Sequence, residues 1–185
     1  WQGTSNVLVG GGFFRGGRSK SLFRTTLTDY LRSQLPDVDF EIRDIQAGKY
    51  AGVLGATALV QLSGKVTNKS VSGQAIIGVD VGGTGVDVGA VQDGRVVILK
   101  SVRINAQHPQ DYYGQIAAVI SSVEDELTEQ GIAVYPVVGL AHPGSRLDSG
   151  KIKPGTCPNL GINANFENND PALALKKSLA SRSLD

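Results

Sequence analysis

The segment from Ala75 to Val91 (AIIGVDVGGTGVDVGAV) is an apolar run that carries one acid, Asp80, and two glycines, Gly82 and Gly83, into a turn and then leaves as a second apolar run. A chain with this pattern is committed to two strands joined by a tight connection. Glycines in such a connection open backbone conformations closed to other residues. They also let amide N–H groups come close to an anion, and the Thr84 hydroxyl adds a further donor, so the turn has the makings of a phosphate nest. Asp80, at the strand end, is placed to hold Mg²⁺ directly or through water, because a hard cation that bridges phosphates prefers carboxylate and water oxygens. Taken alone, D-x-G-G-T is explained equally well as an ordinary turn in which the Asp accepts local backbone hydrogen bonds. The surrounding sequence has to separate the two.

Upstream, Asn6–Val9 is a short apolar run that ends in Gly10, Gly11 and Gly12, and residues 18 to 34 then place Leu22, Phe23, Leu27, Tyr30 and Leu31 at helical spacing. This reads as strand, glycine turn and helix. Pro36 closes the helix, residues 38 to 42 alternate like a strand, and residues 47 to 62 form a small-residue helix in which Gly48, Gly52 and Gly55 permit close packing. Residues 63 to 74 (SGKVTNKSVSGQ) are polar and nearly free of large apolar groups, the composition of a linker. The expected organisation is therefore a segment 1–62, a linker 63–74 and a second segment 75–185.

In the second segment, strands are expected near 75–81, 85–91 and 95–103, with Gln92-Asp93-Gly94-Arg95 as the hairpin turn between the last two. Residues 111 to 130 set Ile116, Val119, Ile120, Val123 and Leu127 on one helical face, Gly131 ends the helix, and residues 134 to 140 return as a buried strand. An antiparallel meander followed by a helix and a further strand indicates an α/β layer. Residues 142 to 169 are rich in Gly, Pro and Asn, with Lys151-Ile152-Lys153 as a short strand. A final helix starts with Asp170 as its cap and Pro171 in its first turn.

Of the 185 residues, 41% are apolar and 19% charged, the range of a globular chain with a substantial core. Eighteen basic against seventeen acidic residues, with no long basic run, speak against a nucleic-acid or membrane-surface role. The single cysteine, Cys157, excludes an internal disulfide framework and a multi-Cys zinc site within these residues, and it suits a reducing compartment, so the expected location is the cytoplasm. No apolar stretch is long enough for a membrane span. With no Met and a start at Trp1, the expectation is an excerpt or a processed product.

Isolated polar residues invite functional readings, each with a plainer one beside it. His142 is an acid–base candidate, but a loop histidine is more often a hydrogen-bonding residue. His108, before Pro109, marks a helix start. Cys157 has nothing in its sequence neighbourhood to lower its pKa and reads as a structural thiol. Glu124, Asp125 and Glu126 form a solvated helix face, and Asp148 is either a second carboxylate near the site or part of an Asp-Ser-Gly turn.

The order and spacing of these motifs carry a resemblance. Residues 75 to 180 resemble the amino-terminal lobe of the ROK family of sugar kinases, in the actin and hexokinase fold group. The likeness runs from IIGVDVGGTGVDVGAV through VVGLAHPGSRLDSGKI to KPGTCPNLG. Residues 6 to 62 resemble the carboxyl-terminal end of the same family, through the V-L-V-G-G-G strand and the Gly/Ala-rich DIQAGKYAGVLGATAL helix. The family's tail thus stands before its head, as in a circular permutant, a junction of two tandem kinase units, or two ends of a longer protein taken together.

The resemblance implies an α/β, actin-like (ribonuclease H-like) ATPase fold, incomplete or permuted, and an origin in ATP-dependent phosphoryl transfer to a hexose or amino sugar. It implies Asp80, Gly82, Gly83 and Thr84 for the ATP phosphates and Mg²⁺, with Asp80 as the metal residue, and Gly10, Gly11 and Gly12 for a wall near the adenosine. Pro143 and Gly144 fall where the family meets the sugar, with His142 in place of the usual small or apolar residue before them and Gly85 where a Lys is common. The family's catalytic Asp motif, its zinc segment and its sugar-holding Glu and His residues have no counterpart among these residues. The implied catalytic set is therefore empty and the chain is expected to be inactive alone. The expected partners are a small-molecule sugar and the remainder of a kinase fold or a second copy, with no nucleic acid and no membrane. The rival expectations are a non-enzymatic nucleotide- or sugar-binding regulatory module and a structural half-domain that needs a partner chain.

Overall fold

The computed structural model describes residues 5–9, 17–34, 36, 40–44, 50–62, 71–83, 85–105, 108–157 and 166–182. They fall into two units, Trp1–Ala51 and Gly52–Asp185. In the first, β1 (Ser5–Val9) pairs in parallel with β2 (Phe40–Asp44), from Ser5 against Phe40 to Val9 against Asp44. Parallel neighbours need a long crossover, and α1 (Gly17–Gln34) supplies it. Leu27 and Leu31, four residues apart, are half-buried on α1, whereas Tyr30 is 61% exposed, so the apolar face is narrower than the sequence spacing suggests. Gly10, Gly11 and Gly12 lie outside the described residues.

The second unit is built on a four-stranded sheet in the order β5-β4-β3-β6. Its strands are β3 (Ala75–Val81), β4 (Val86–Gln92), β5 (Arg95–Val102) and β6 (Val134–Ala141). The three consecutive strands form the expected antiparallel meander, and β6 joins β3 in parallel. Asp93 (φ 48°) and Gly94 (φ 77°) both take left-handed backbone angles at the β4–β5 turn, the conformation whose twist matches its flanking strands. Helix α3 (Pro109–Glu129) carries the chain from one edge strand, β5, to the other, β6. It begins two residues before the expected Asp111, because Pro109 occupies the first turn where no intrahelical donor is needed.

Period-two alternation splits the sheet into two faces. Ala75, Ile77, Val79 and Val81 of β3 and Val86, Val88 and Ala90 of β4 pack against Tyr112, Tyr113, Ile116, Ile120, Val123 and Leu127 of α3. Leu175 of α4 (Pro171–Arg182) and Phe166 complete this core. Burying each aliphatic side chain contributes roughly 1.5–3 kcal/mol, so this face is the main source of stability. α3 ends as its sequence predicts. Gly131 (φ 69°) donates to Thr128 O at 3.0 Å and Ile132 donates to Leu127 O at 2.9 Å, which satisfies two otherwise unpaired carbonyls. Asp170 caps α4 through Oδ1, which accepts from Ala172 N (3.0 Å) and Leu173 N (3.1 Å).

The opposite face carries α2 (Ala51–Leu62), whose Gly52–Leu62 part belongs to this unit. Register aligns Gly89, Gly78 and Gly139 as one row across β4, β3 and β6. A Cβ on Gly78 would stand 2.6 Å from the Val53 carbonyl oxygen, and one on Gly139 would collide with the Ala56 carbonyl group. The helix backbone therefore rests almost directly on the strand backbone, and the close-packing glycines lie mainly on the strands. Gly55, on α2 itself, faces open space.

β6 differs from expectation. The sequence suggests a buried strand, but only Gly139 is fully buried, and Pro136 is exposed in a register shift where the single β3 residue Ile76 faces three of β6, Tyr135, Pro136 and Val137. Proline has no amide proton to give a second neighbour, which suits an edge strand.

Candidate functional site

β3 delivers Asp80 to the end of the sheet at which the β3–β4 connection turns. Gly82 N donates to Gly85 O at 2.9 Å, which closes a connection of only two residues, 83 and 84. Gly82 and Gly83 are exposed, and Thr84 lies outside the described residues. Gly82 does not occupy the left-handed region, contrary to the role foreseen for it. Its contribution is closeness, since a Cβ there would lie 3.2 Å from the Gly85 carbonyl oxygen. Gly85 is explained by its neighbour on β5, because a Cβ would approach the Val102 carbonyl oxygen to 2.8 Å.

Once the turn is centred between residues 83 and 84, antiparallel register sets Asp80 directly across from Asp87, and both carboxylates share the face that α2 covers. Gly52, in the first turn of α2, lies against the Asp80 carboxylate so closely that a Cβ at 52 would occupy the same space. The partial positive charge of a helix N-terminus favours an anion there. Even so, burial first and the Asp87 charge second hold the Asp80 carboxyl above the usual range. Asp87 and Gly52 are site residues that the sequence reading did not single out. The signal for Asp87 was the hairpin register; Gly52 had been noted only as a packing glycine.

The parallel neighbour brings in the next group. Asp80 is in register with Ala141, the last residue of β6, so His142, Pro143 and Gly144 leave the sheet at the same end as Asp80. Ligands bind to open α/β sheets at this carboxyl edge. His142 is half-buried, with Nε2 at 2.8 Å from Tyr113 Oη and Nδ1 at 2.7 Å from the Pro143 carbonyl oxygen. Burial, joined by the nearby Arg146 charge, outweighs that second hydrogen bond and holds the imidazole pKa down to about 4. At neutral pH it is uncharged with both nitrogens engaged, which fits the hydrogen-bonding reading. Tyr112, next to Tyr113, is pushed up to about 12, chiefly by burial.

After Gly144 the chain makes a small hairpin through the Arg146–Ile152 bridge, with Gly150 N donating to Leu147 O at 2.9 Å. Asp148 is exposed in this turn, as its Asp-Ser-Gly sequence suggested. The solvated acidic face on α3 is qualified at one residue, since Glu126 pairs with Lys100 of β5 at 3.1 Å. Two clefts among the described residues are lined by none of Asp80, Gly82, Gly83, Pro143 and Gly144. One, of about 480 Å³, runs between α2 and the β4–β5 turn, and the other, of about 560 Å³, lies along α4. Among the described residues no group of three His, Cys, Asp or Glu converges on a common point. A cation at Asp80 would therefore complete its shell with phosphate and water oxygens. No helix among the described residues is long and apolar enough to cross a membrane.

No protein-family model matches the chain, and no curated protein matches it. Among solved structures, hexokinase from Schistosoma mansoni complexed with glucose is similar over 61% of this chain, with 18% identity and a TM-score of 0.43. The chain spans 27% of the length of that enzyme.

Proposed function

We propose that the chain is part of an ATP-dependent sugar kinase of actin-like fold, holding the phosphate clamp while another segment supplies the general base. The observation that carries this reading is the two-residue β3–β4 connection, which leaves Asp80, in register with Asp87 and seated on Gly52, at the end of β3 that leads into Gly82 and Gly83. In it, Asp80 holds Mg²⁺ directly or through water, the Gly83 amide and the Thr84 hydroxyl take phosphate oxygens, Gly82, whose own N–H is spent on Gly85 O, leaves room for the phosphate to approach, and Gly10, Gly11 and Gly12 contribute to an adenosine wall. The donor set fits such a cation: two neighbouring carboxylates, one with its charged form disfavoured, leave negative charge for a divalent ion to offset. When bound, Mg·ATP supplies the transferable phosphoryl group. Pro143 and Gly144 lie against the sugar, whose identity is set by residues elsewhere.

Calorimetry with Mg·ATP on the chain and on Asp80→Ala tests this. The variant is expected to bind at least about tenfold more weakly, a loss of about 1.4 kcal/mol, and a coupled assay is expected to show no hexose-dependent ADP release. Equal binding by the two proteins overturns the clamp, and hexose-dependent turnover overturns the missing base.

A second reading, a half-domain that folds against a partner chain, is favoured by two features. Among the described residues the outer edge of β6 pairs with no strand, and Leu59 and Leu62 of α2 are 58% and 81% exposed. Sedimentation showing an obligate dimer or larger species would support it.

A further inference from the structure

Two side chains meet at the Pro143 carbonyl. Its oxygen is 2.7 Å from His142 Nδ1 and 3.4 Å from Cys157 Sγ. A carbonyl oxygen only accepts, so His142 Nδ1 carries the proton and donates it. A neutral imidazole then has a bare Nε2, which accepts from the Tyr113 hydroxyl at 2.8 Å. Tyr113 is fully buried in the α3 core, its ring edge-on to Phe166 at 6.4 Å between centroids and tilted against the imidazole at 6.0 Å. The imidazole is thus anchored from the core, and neither nitrogen is free to take a proton from a substrate.

The consequence falls on Gly144. It adopts φ 94°, with the Cys157 Cβ and Ile152 Cγ2 atoms both 3.2 Å from where a Cβ would stand. In a planar trans peptide the carbonyl and the following N–H point to opposite sides, so holding the Pro143 oxygen toward His142 and Cys157 aims Gly144 N–H the other way. That N–H has no acceptor among the described residues.

We infer that Tyr113 and His142 are positioning residues: a relay from the α3 core that fixes the Pro143–Gly144 peptide plane before a hexose arrives. This rests on the sugar-kinase reading of the same turn. A pre-set donor binds better than a mobile one, because the ordering entropy is spent in folding and not in binding. The relay occupies the place where the resembled family has a small or apolar residue, which cannot anchor the plane in this way.

The test uses the ¹⁵N-labelled chain with Mg·ATP and a panel of glucose, fructose, mannose and N-acetylglucosamine. The Gly144 amide and the His142 ring nitrogens are followed by NMR. The wild type is expected to show Nδ1 protonated and Nε2 bare, and at least one sugar is expected to shift the Gly144 resonance. His142→Leu is expected to weaken that response at least about tenfold. His142→Asn, whose side-chain N–H can donate to Pro143 O from nearly the same place, restores most of it, and Tyr113→Phe gives an intermediate loss with mixed tautomers. A proton on Nε2, a His142→Leu response equal to wild type, or no Gly144 response to any sugar overturns the relay. Mg·ATP binding, measured in parallel, separates the two ideas: its absence in wild type defeats the kinase reading, whereas its presence with a His142-independent sugar response defeats only the relay. If His142→Leu does not fold, Tyr113→Phe, which keeps the imidazole, decides.

Discussion

Asp80 of β3 stands directly opposite Asp87 of β4, two carboxylates on one face of the sheet beside the first turn of α2. Burial makes Asp80 costly to ionise, and the like charge of Asp87 in this register adds to that cost. A local arrangement that works against folding is what the proposed clamp would require at this position.

Asp80→Asn is therefore expected to stabilise the protein while weakening nucleotide binding. Because the folded-state pKa of Asp80 is raised, its contribution favours folding in acid and is lost as pH rises through that pKa. At pH 7 the substitution removes the repulsion, a gain of about 0.5 kcal/mol on the scale of a cross-strand charge pair. Urea denaturation checks the sign, and a less stable variant with unchanged Mg·ATP affinity would contradict the assignment.

His142 gives the opposite pH dependence. Its pKa is held down to about 4 when folded, against 6.5 for an ordinary histidine, so its contribution is complete above about pH 6.5 and declines as pH falls toward 4. The difference corresponds to at most about 3 kcal/mol. Denaturation curves from pH 8 to pH 4 are expected to fall less steeply for His142→Asn than for wild type; parallel curves would show that the ring is not held neutral.

Two glycine substitutions are expected to act in opposite directions. Gly139→Ala drives a Cβ into the Ala56 carbonyl and costs about 3 kcal/mol, because backbone on both sides has nowhere to move. Gly55→Ala, in open space on exposed helix, gains up to about 1 kcal/mol. Thermal melts of the pair test whether α2 rests on the glycine row.

Asp170→Ala removes the oxygen that accepts from Ala172 N and Leu173 N, and is expected to cost about 1 kcal/mol. Asp148→Ala, in an exposed turn, is expected to change stability by less than about 0.5 kcal/mol. Equal effects would mean that the cap is not formed in solution.

Much of this architecture was legible because it depends on short-range rules. The Asp93-Gly94 turn, the Gly131 helix end, the Asp170 cap and the meander each follow from residues within a few positions of one another. Where the reading missed, a neighbour distant in sequence decided. Pro136 and an outer edge that pairs with no strand among the described residues made β6 half-buried, and Lys100 drew Glu126 into an ion pair.

The candidate site divides along the same line. By itself the sequence determined that Asp80 and two glycines enter a tight connection between strands, because alternation and turn chemistry are properties of consecutive residues. Only the tertiary structure decided that Asp87 and Gly52 crowd the Asp80 carboxylate, that the His142 turn leaves the sheet at the same end, and that Tyr113 holds the imidazole. Those contacts join strands and helices tens of residues apart, and their distances are set by how closely α2 and α3 pack on the sheet, a quantity that no local pattern encodes.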